Sequence, residues 1–249
     1  ELFAPLAQTP LPTFEDQQAL ALLLAPLYAR AGRAQEGRTL LDKATWPDAK
    51  AVATAGSLAR LVKNNQQLDE ASPLAVDLGN RILRNLGRND QFTAYAHPQR
   101  LYPPRFNRYT DGGSYGFHSD SALLHVANSS VVIRSDMSAT LFLSEPDEYD
   151  GGELEIETAS EVEAVKLAAG DMILYPSGAL HRVLPVTRGA RVASFFWVQS
   201  MVRDAGERSL LYELDQCVQQ ATIAMGAGNP TVQQLAAIYH NLLRRWADT

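Results

Sequence analysis

The stretch Phe106-Asn107-Arg108-Tyr109-Thr110-Asp111-Gly112-Gly113-Ser114-Tyr115-Gly116-Phe117-His118-Ser119-Asp120 organises the reading of the rest of the chain. Taken as short strands near residues 105–109 and 116–118, it assigns the middle of the molecule to β structure. It ends in a His-x-Asp pair. On extended backbone, residues i and i+2 point to the same face, so His118 and Asp120 present an imidazole and a carboxylate together.

Downstream, β-branched and aromatic residues rise and Gly or Pro punctuates short runs. Strands are predicted near residues 94–97, 105–109, 116–118, 138–143, 154–157, 164–167, 172–175, 182–186 and 191–199. Asp150-Gly151-Gly152-Glu153 reads as a turn before a strand, and Ala169-Gly170-Asp171 and Thr187-Arg188-Gly189 as two more turns. Short antiparallel strands in this number predict an α+β fold. Its core is a double-stranded β-helix, or jelly roll, covered on one sheet by helices from the N-terminal side and followed by a C-terminal helical segment.

Upstream, residues 1–16 carry little periodicity, and 16–28 read as a helix. A second helical segment follows Gly32, with Leu40, Leu41 and Ala44 as its apolar positions. Lys63-Asn64-Asn65-Gln66-Gln67 is a polar loop or strand end. Ser72-Pro73-Leu74 opens a strong helix: a capping residue, Pro in the first turn, then Leu74, Leu78, Ile82, Leu83 and Leu86 at helical spacing, with Gly87 to close it. From Asp204 the chain turns helical again through Leu210, Leu211, Leu214 and Val218. After a break at 226–230 comes a last helix through Leu235, Ile238 and Leu242. The expected division is an N-terminal extension over 1–30, irregular then helical, a catalytic domain with its supporting helices over 31–203, and a helical segment over 204–249.

Composition narrows the setting. The 249 residues are 46% hydrophobic and 20% charged, enough for one full core. A net charge of −6 without a long basic run speaks against nucleic acid as a partner. No apolar run reaches the roughly 18 residues a membrane span needs. The single cysteine, Cys217, excludes an internal disulfide and suits a reducing compartment, so the cytoplasm is expected. The oligomeric state is unreadable, and a homo-oligomer is compatible with the sequence.

Chemistry enters through the pairing of His118-x-Asp120 with a later histidine. An iron(II) oxygenase site needs two imidazoles and one carboxylate on one side of the metal. His181 is the candidate, delivered to a sheet rim by the turn-strand-turn that runs from Gly170 to Gly178. Ten residues on stands Arg191, a guanidinium inside an otherwise apolar strand, where it needs an anionic partner. That partner is a ligand carboxylate, or else Glu153 or Asp171; spacing leaves the choice open. Triad plus carboxylate clamp is the parts list of an iron(II), 2-oxoglutarate-dependent dioxygenase. Among other candidates, His125 is expected in a loop, on the surface or the substrate side. His97 and His240 read as structural, and Tyr115 as a residue of the substrate mouth or of packing. Arg134 and Asp136 are expected to pair with each other or with substrate, and Glu153 to close a turn.

The combination resembles the PKHD-type hydroxylases, iron(II)/2-oxoglutarate dioxygenases related to prolyl 4-hydroxylases. The similarity is carried by Phe106-Asn107-Arg108-Tyr109, Phe117-His118-Ser119-Asp120, Arg134-Ser135-Asp136-Met137-Ser138-Ala139-Thr140 and Tyr149-Asp150-Gly151-Gly152-Glu153-Leu154. It continues in Tyr175-Pro176-Ser177, His181-Arg182-Val183 and Gly189-Ala190-Arg191, and spans roughly residues 30–249. The resemblance implies that His118, Asp120 and His181 ligate iron(II), that Arg191 binds the distal carboxylate of 2-oxoglutarate, and that Tyr109 lies near that cosubstrate. It also implies consumption of dioxygen, release of succinate and CO2, and support by ascorbate. A peptide prolyl group, a free amino acid and a siderophore-like molecule all remain open as substrate. Rivals of other classes are a non-catalytic, cupin-like 2-oxoglutarate and iron sensor, and a zinc hydrolase using the same triad.

Overall fold

A computed structural model of the chain describes residues 22–24, 38–48, 62–158 and 161–249. In chain order the elements are β1 (Leu22–Leu24), β2 (Lys63–Asn64), β3 (Gln66–Gln67), α1 (Pro73–Leu86), α2 (Asp90–Ala96), β4 (Pro98–Leu101) and β5 (Arg105–Tyr109). Next come β6 (Ser114–His118), β7 (Leu123–His125), β8 (Val132–Arg134), β9 (Met137–Phe142), β10 (Tyr149–Gly151), β11 (Leu154–Glu157) and β12 (Val162–Val165). The chain ends with β13 (Met172–Pro176), β14 (His181–Val183), β15 (Val186–Gly189), β16 (Arg191–Ser200), α3 (Ala205–Met225) and α4 (Pro230–Trp246).

The strands form two antiparallel sheets. The larger runs β1-β13-β9-β16-β5-β3, with β4 also on β16, and the smaller runs β12-β11-β14-β6-β2. Two further ribbons pair β10 with β15 and β7 with β8. Period-two alternation sorts each strand of the larger sheet between two cores. Phe142, Ile173 and Tyr175 face Leu154, Ile156 and Val183 of the smaller sheet. Leu141, Met172, Leu174 and Phe196 face the other way, onto Leu78, Ile82, Leu86 and Phe92 of the helices. A jelly roll whose larger sheet is covered by helices is the α+β architecture expected.

Helix α1 starts and stops for the reasons its sequence suggests. The Ser72 hydroxyl accepts from the Ala75 amide, Pro73 stands in the first turn, and Leu78, Ile82 and Leu86 are buried. Gly87 ends it in right-handed rather than left-handed backbone. The second helical segment expected from the sequence is helical at residues 38–42, burying Leu41 and leaving Leu40 exposed.

Four expectations fail. The predicted strand at 94–97 is the end of α2 and its cap. The Asn89 side chain accepts from the Phe92 amide, and Phe92, Tyr95 and Ala96 then fall on one buried face at helical spacing. The predicted helix over 16–28 contains β1, whose three leucines pair with Leu174, Ile173 and Met172. The open edge of the larger sheet supplies backbone partners that an isolated helical turn would have to find within itself. The rest of the 1–30 extension, apart from β1, lies outside the described residues. Gly151 and Thr187-Arg188-Gly189 are not plain turns: β10 and β15 form a ribbon with a register shift after Asp150. Finally, His125 belongs to strand β7 rather than a loop, though it is exposed as expected.

In the C-terminal pair, Leu211 is buried and Leu214 and Val218 are half-buried, but Leu210 is exposed, so the stripe is narrower than its leucines suggest. Cys217 is a free, exposed helix residue. No helix among the described residues is long and apolar enough to cross a membrane.

Candidate metal and cosubstrate site

His118 and His181 meet because β6 and β14 are neighbours in register, with the two residues directly opposite. Strand β6 ends at His118. Asp120 lies two residues past the strand, where its amide donates to the Ser177 carbonyl at 3.2 Å. One ligand atom from each of the three lies within 4.8 Å of the others, the one such cluster among the described residues. The Asp120 carboxylate is 4.0 Å from His118 Nε2 and 3.7 Å from His181 Nε2.

Each imidazole is oriented from behind. His118 Nδ1 lies 2.8 Å from the Gly116 carbonyl and His181 Nδ1 3.0 Å from the Ala179 carbonyl. A carbonyl only accepts, so Nδ1 donates in each ring and Nε2 is the nitrogen turned toward a ligand. Burial, and then the neighbouring His181, push the pKa of His118 down to about 4, so that imidazole is already neutral at physiological pH. Tyr115 stacks on the His118 ring with centroids 3.6 Å apart. Asp120 is fixed by the Ser138 hydroxyl at 2.5 Å, itself 2.8 Å from the Ser177 hydroxyl. Neither serine was singled out in the sequence. The signal was their place in the motif stretches around Met137 and Pro176.

Arg191 opens β16 directly opposite Tyr109 of β5. It is 1% exposed, its guanidinium carbon lies 5.5 Å from the Tyr109 ring and 5.1 Å from the Phe142 ring, and its Nε and Nη1 have no hydrogen-bond partner. Glu153 and Asp171, the intramolecular partners the spacing left open, do not pair with it; Glu153 faces Lys166 at 3.9 Å. A buried guanidinium with unpaired nitrogens is costly without an anion, so this one fits a carboxylate arriving from outside the chain. The hydroxyl of Tyr149, a residue sequence reasoning passed over, is buried beside Arg191 and makes no well-aligned hydrogen bond among the described residues. Burial raises the pKa of both Tyr109 and Tyr149, which keeps each phenol protonated and able to donate.

Gly152 makes room for this arrangement. Its φ is +70°, and a Cβ there would sit 3.1 Å from Arg191 Cδ and 2.8 Å from Val186 Cγ2. Triad, Tyr109 and Arg191 open into one cleft of about 910 Å³ between the sheets, which Tyr115 also lines. Other sequence candidates lie outside it. Arg134 and Asp136 pair bidentately at 2.7 and 2.9 Å, and Asp136 also accepts from the Ser200 amide. His97 is a buried helix cap whose carbonyl accepts from the Met201 amide, and His240 is exposed on α4.

Residues 104–199 match the 2OG-Fe(II) oxygenase superfamily and residues 205–248 the PKHD-type hydroxylase C-terminal domain. A PKHD-type hydroxylase of Acidovorax ebreus is 58% identical over 84% of this chain and 92% of its own length. The chain belongs to the PKHD-type hydroxylase family. A second member, from Parvibaculum lavamentivorans, is 50% identical over 92% of this chain and all of its own length. Among solved structures, a Pseudomonas putida prolyl-4-hydroxylase is similar at 18% identity and a TM-score of 0.46, over 72% of this chain and 92% of that one. As a PKHD-type family member the chain is an iron(II)- and 2-oxoglutarate-dependent oxygenase, and His118, Asp120 and His181 form the cluster able to hold the metal.

Proposed function

We propose that His118, Asp120 and His181 hold iron(II), that Arg191 with Tyr149 and Tyr109 holds the distal carboxylate of 2-oxoglutarate, and that the enzyme hydroxylates a peptide or small molecule. Iron(II), 2-oxoglutarate and dioxygen together supply the oxidising chemistry, with succinate and CO2 released. The chain's own part is geometric and electrostatic. His118, Asp120 and His181 would supply two imidazoles and one carboxylate to the metal, the donor set that suits an iron(II) oxygenase. Arg191 binds the far carboxylate through two parallel hydrogen bonds, in a pocket whose low polarity strengthens both. Tyr109 and Phe142 wall that pocket against water. Residues 31–203 form the catalytic unit and 204–249 a docked helical segment. Ascorbate as supporting reductant and a cytoplasmic setting belong to the same reading.

The observation that carries the proposal is Arg191: fully buried, lacking hydrogen-bond partners on two nitrogens, and in one cleft with the triad. A zinc hydrolase on the same ligands leaves it without an anion. Anaerobic titration of 2-oxoglutarate into iron-loaded protein tests the assignment. Arg191→Ala should keep iron and lose cosubstrate affinity by about 30-fold to several-thousand-fold, equivalent to roughly 2–5 kcal/mol. Arg191→Lys should recover part of that loss, because the charge survives and the fork does not. Equal affinity in wild type and Arg191→Ala would remove Arg191 from the cosubstrate site.

A further inference from the structure

The cleft extends well beyond the groups assigned above. Along β16 the cleft is lined by Arg191, Phe195 and Trp197, and the strand between the first and last of these is about 20 Å long. Strand β5 lies alongside with Tyr109, Asn107 and Arg105 opposite Arg191, Ala193 and Phe195. The end near Arg105 is built of different material from the end near Arg191. Phe195, Trp197 and Leu124 supply apolar surface, and Lys63, Asn107 and Arg105 the polar groups, while Asn65 lies beside Tyr109 at the other end.

Those polar groups are incompletely satisfied. Asn107 is 8% exposed, and its side-chain oxygen has no hydrogen-bond partner among the described residues; Arg105 Nε is likewise unpaired. Arg105 is neutralised by Glu70 at 2.7 Å and bonded to the Tyr102 hydroxyl at 2.9 Å. Lys63 has no such ion-pair partner: among the described residues no carboxylate comes within 4.0 Å of its amine, Asp120 acts on it only from farther away, and the amine sits 5.3 Å over the Tyr115 ring. Charge counting then points outward. With iron(II), the doubly charged cosubstrate, Asp120 and Arg191 in place, the inner site sums to zero, and Lys63 remains as the uncompensated positive charge on the wall. This step rests on the iron and 2-oxoglutarate assignment above.

We propose that the substrate is an organic acid with an apolar or aromatic body, its carboxylate taken by Lys63, a polar group by Asn107, and its body by Phe195 and Trp197. The carboxylate can belong to a free small acid or to the end of a short peptide, since Lys63 reads only the charge. Burial and the nearby Arg105 charge make the ammonium group costly when unpaired, which adds to the gain when an anion meets it.

Calorimetric titration of the iron-loaded, 2-oxoglutarate-saturated protein under anaerobic conditions tests this without turnover. The probes are 3-phenylpropanoate, indole-3-acetate, N-acetylphenylalanine and acetyl-Gly-Gly-Phe, each with its primary amide. At least one acid should bind about tenfold more tightly than its amide, the worth of one charge-assisted contact. The preference should vanish in Lys63→Met, survive in Lys63→Arg, and leave 2-oxoglutarate affinity unchanged in both. Small acids and the tripeptide separate the two sources of the carboxylate. A panel in which no acid exceeds its amide, or a preference that persists in Lys63→Met, overturns the proposal. Failure of 2-oxoglutarate to bind is read in the same instrument before any probe is added. It would overturn the cosubstrate assignment, and this inference with it.

Discussion

A single hydroxyl connects the metal cluster to the larger sheet. Ser138 of β9 donates to Asp120, and Ser177 stands behind it. Without that bond the carboxylate is free to rotate away from the two imidazoles, so Ser138→Ala should weaken metal binding by about 10- to 100-fold with the fold retained. Competition with a metal-sensitive dye measures it; unchanged affinity would show that Asp120 needs no such support. Lys63 carries a pH signature of its own. Its pKa is pushed down to about 8 by burial and then by Arg105, against 10.5 in the unfolded chain. Between those values the unfolded chain holds a proton that the folded protein has given up, so stability contributed by this group rises with pH across the window. Denaturant melts at pH 8 and 10 should show that rise in wild type, and a smaller one in Lys63→Met.

Elements decide how the side chains are aimed. The β10–β15 ribbon brings Gly152 against Arg191, with backbone at positive φ that only glycine adopts without strain. Gly152→Ala should cost about 1–2 kcal/mol in stability from the backbone alone. It should also lower 2-oxoglutarate affinity, because the new methyl group presses on the Arg191 stem. Normal cosubstrate affinity in a folded Gly152→Ala protein would mean that the Arg191 stem moves aside freely. Helix α1 acts through packing instead. Leu78 is buried against the outer face of the larger sheet, so Leu78→Ala should lose about 2–5 kcal/mol by thermal or denaturant melting. Leu78→Asp should be worse, because it buries an unpaired charge.

Across the whole molecule, the C-terminal pair is attached by contacts remote from the cleft. Arg208 of α3 is buried and donates to the carbonyls of Val202 and Arg203 at 2.8 Å each. Tyr212 packs edge-on against Tyr95 of α2, and the chain end returns to the sheet where Ala247 bridges Val202. Arg208→Met should therefore cost about 1–3 kcal/mol in stability by orphaning those carbonyls, with iron and 2-oxoglutarate affinities unchanged. A matching loss of cosubstrate affinity would couple this segment to the site.

The sequence by itself determined the elements whose signals are local. Helix α1 was legible from its cap, its proline and its leucine spacing, and the central strands from their short alternating runs. His118-x-Asp120, His181 and Arg191 were legible because ligand chemistry permits few residue types and the motif keeps them in order. Only the tertiary structure decided that Arg191 lacks a carboxylate partner among the described residues, since two candidates stood at plausible spacing and neither folds within reach. Tertiary contacts also overrode local pattern at β1, where an open sheet edge captured a leucine run, and at α2, where one asparagine cap and three core residues made a helix from strand-like composition. Ser138, Asn107 and Lys63 come to the cleft from three strands that no sequence period connects. Their meeting is a product of register between distant strands, which sets which side chains face each other and which are left needing a ligand.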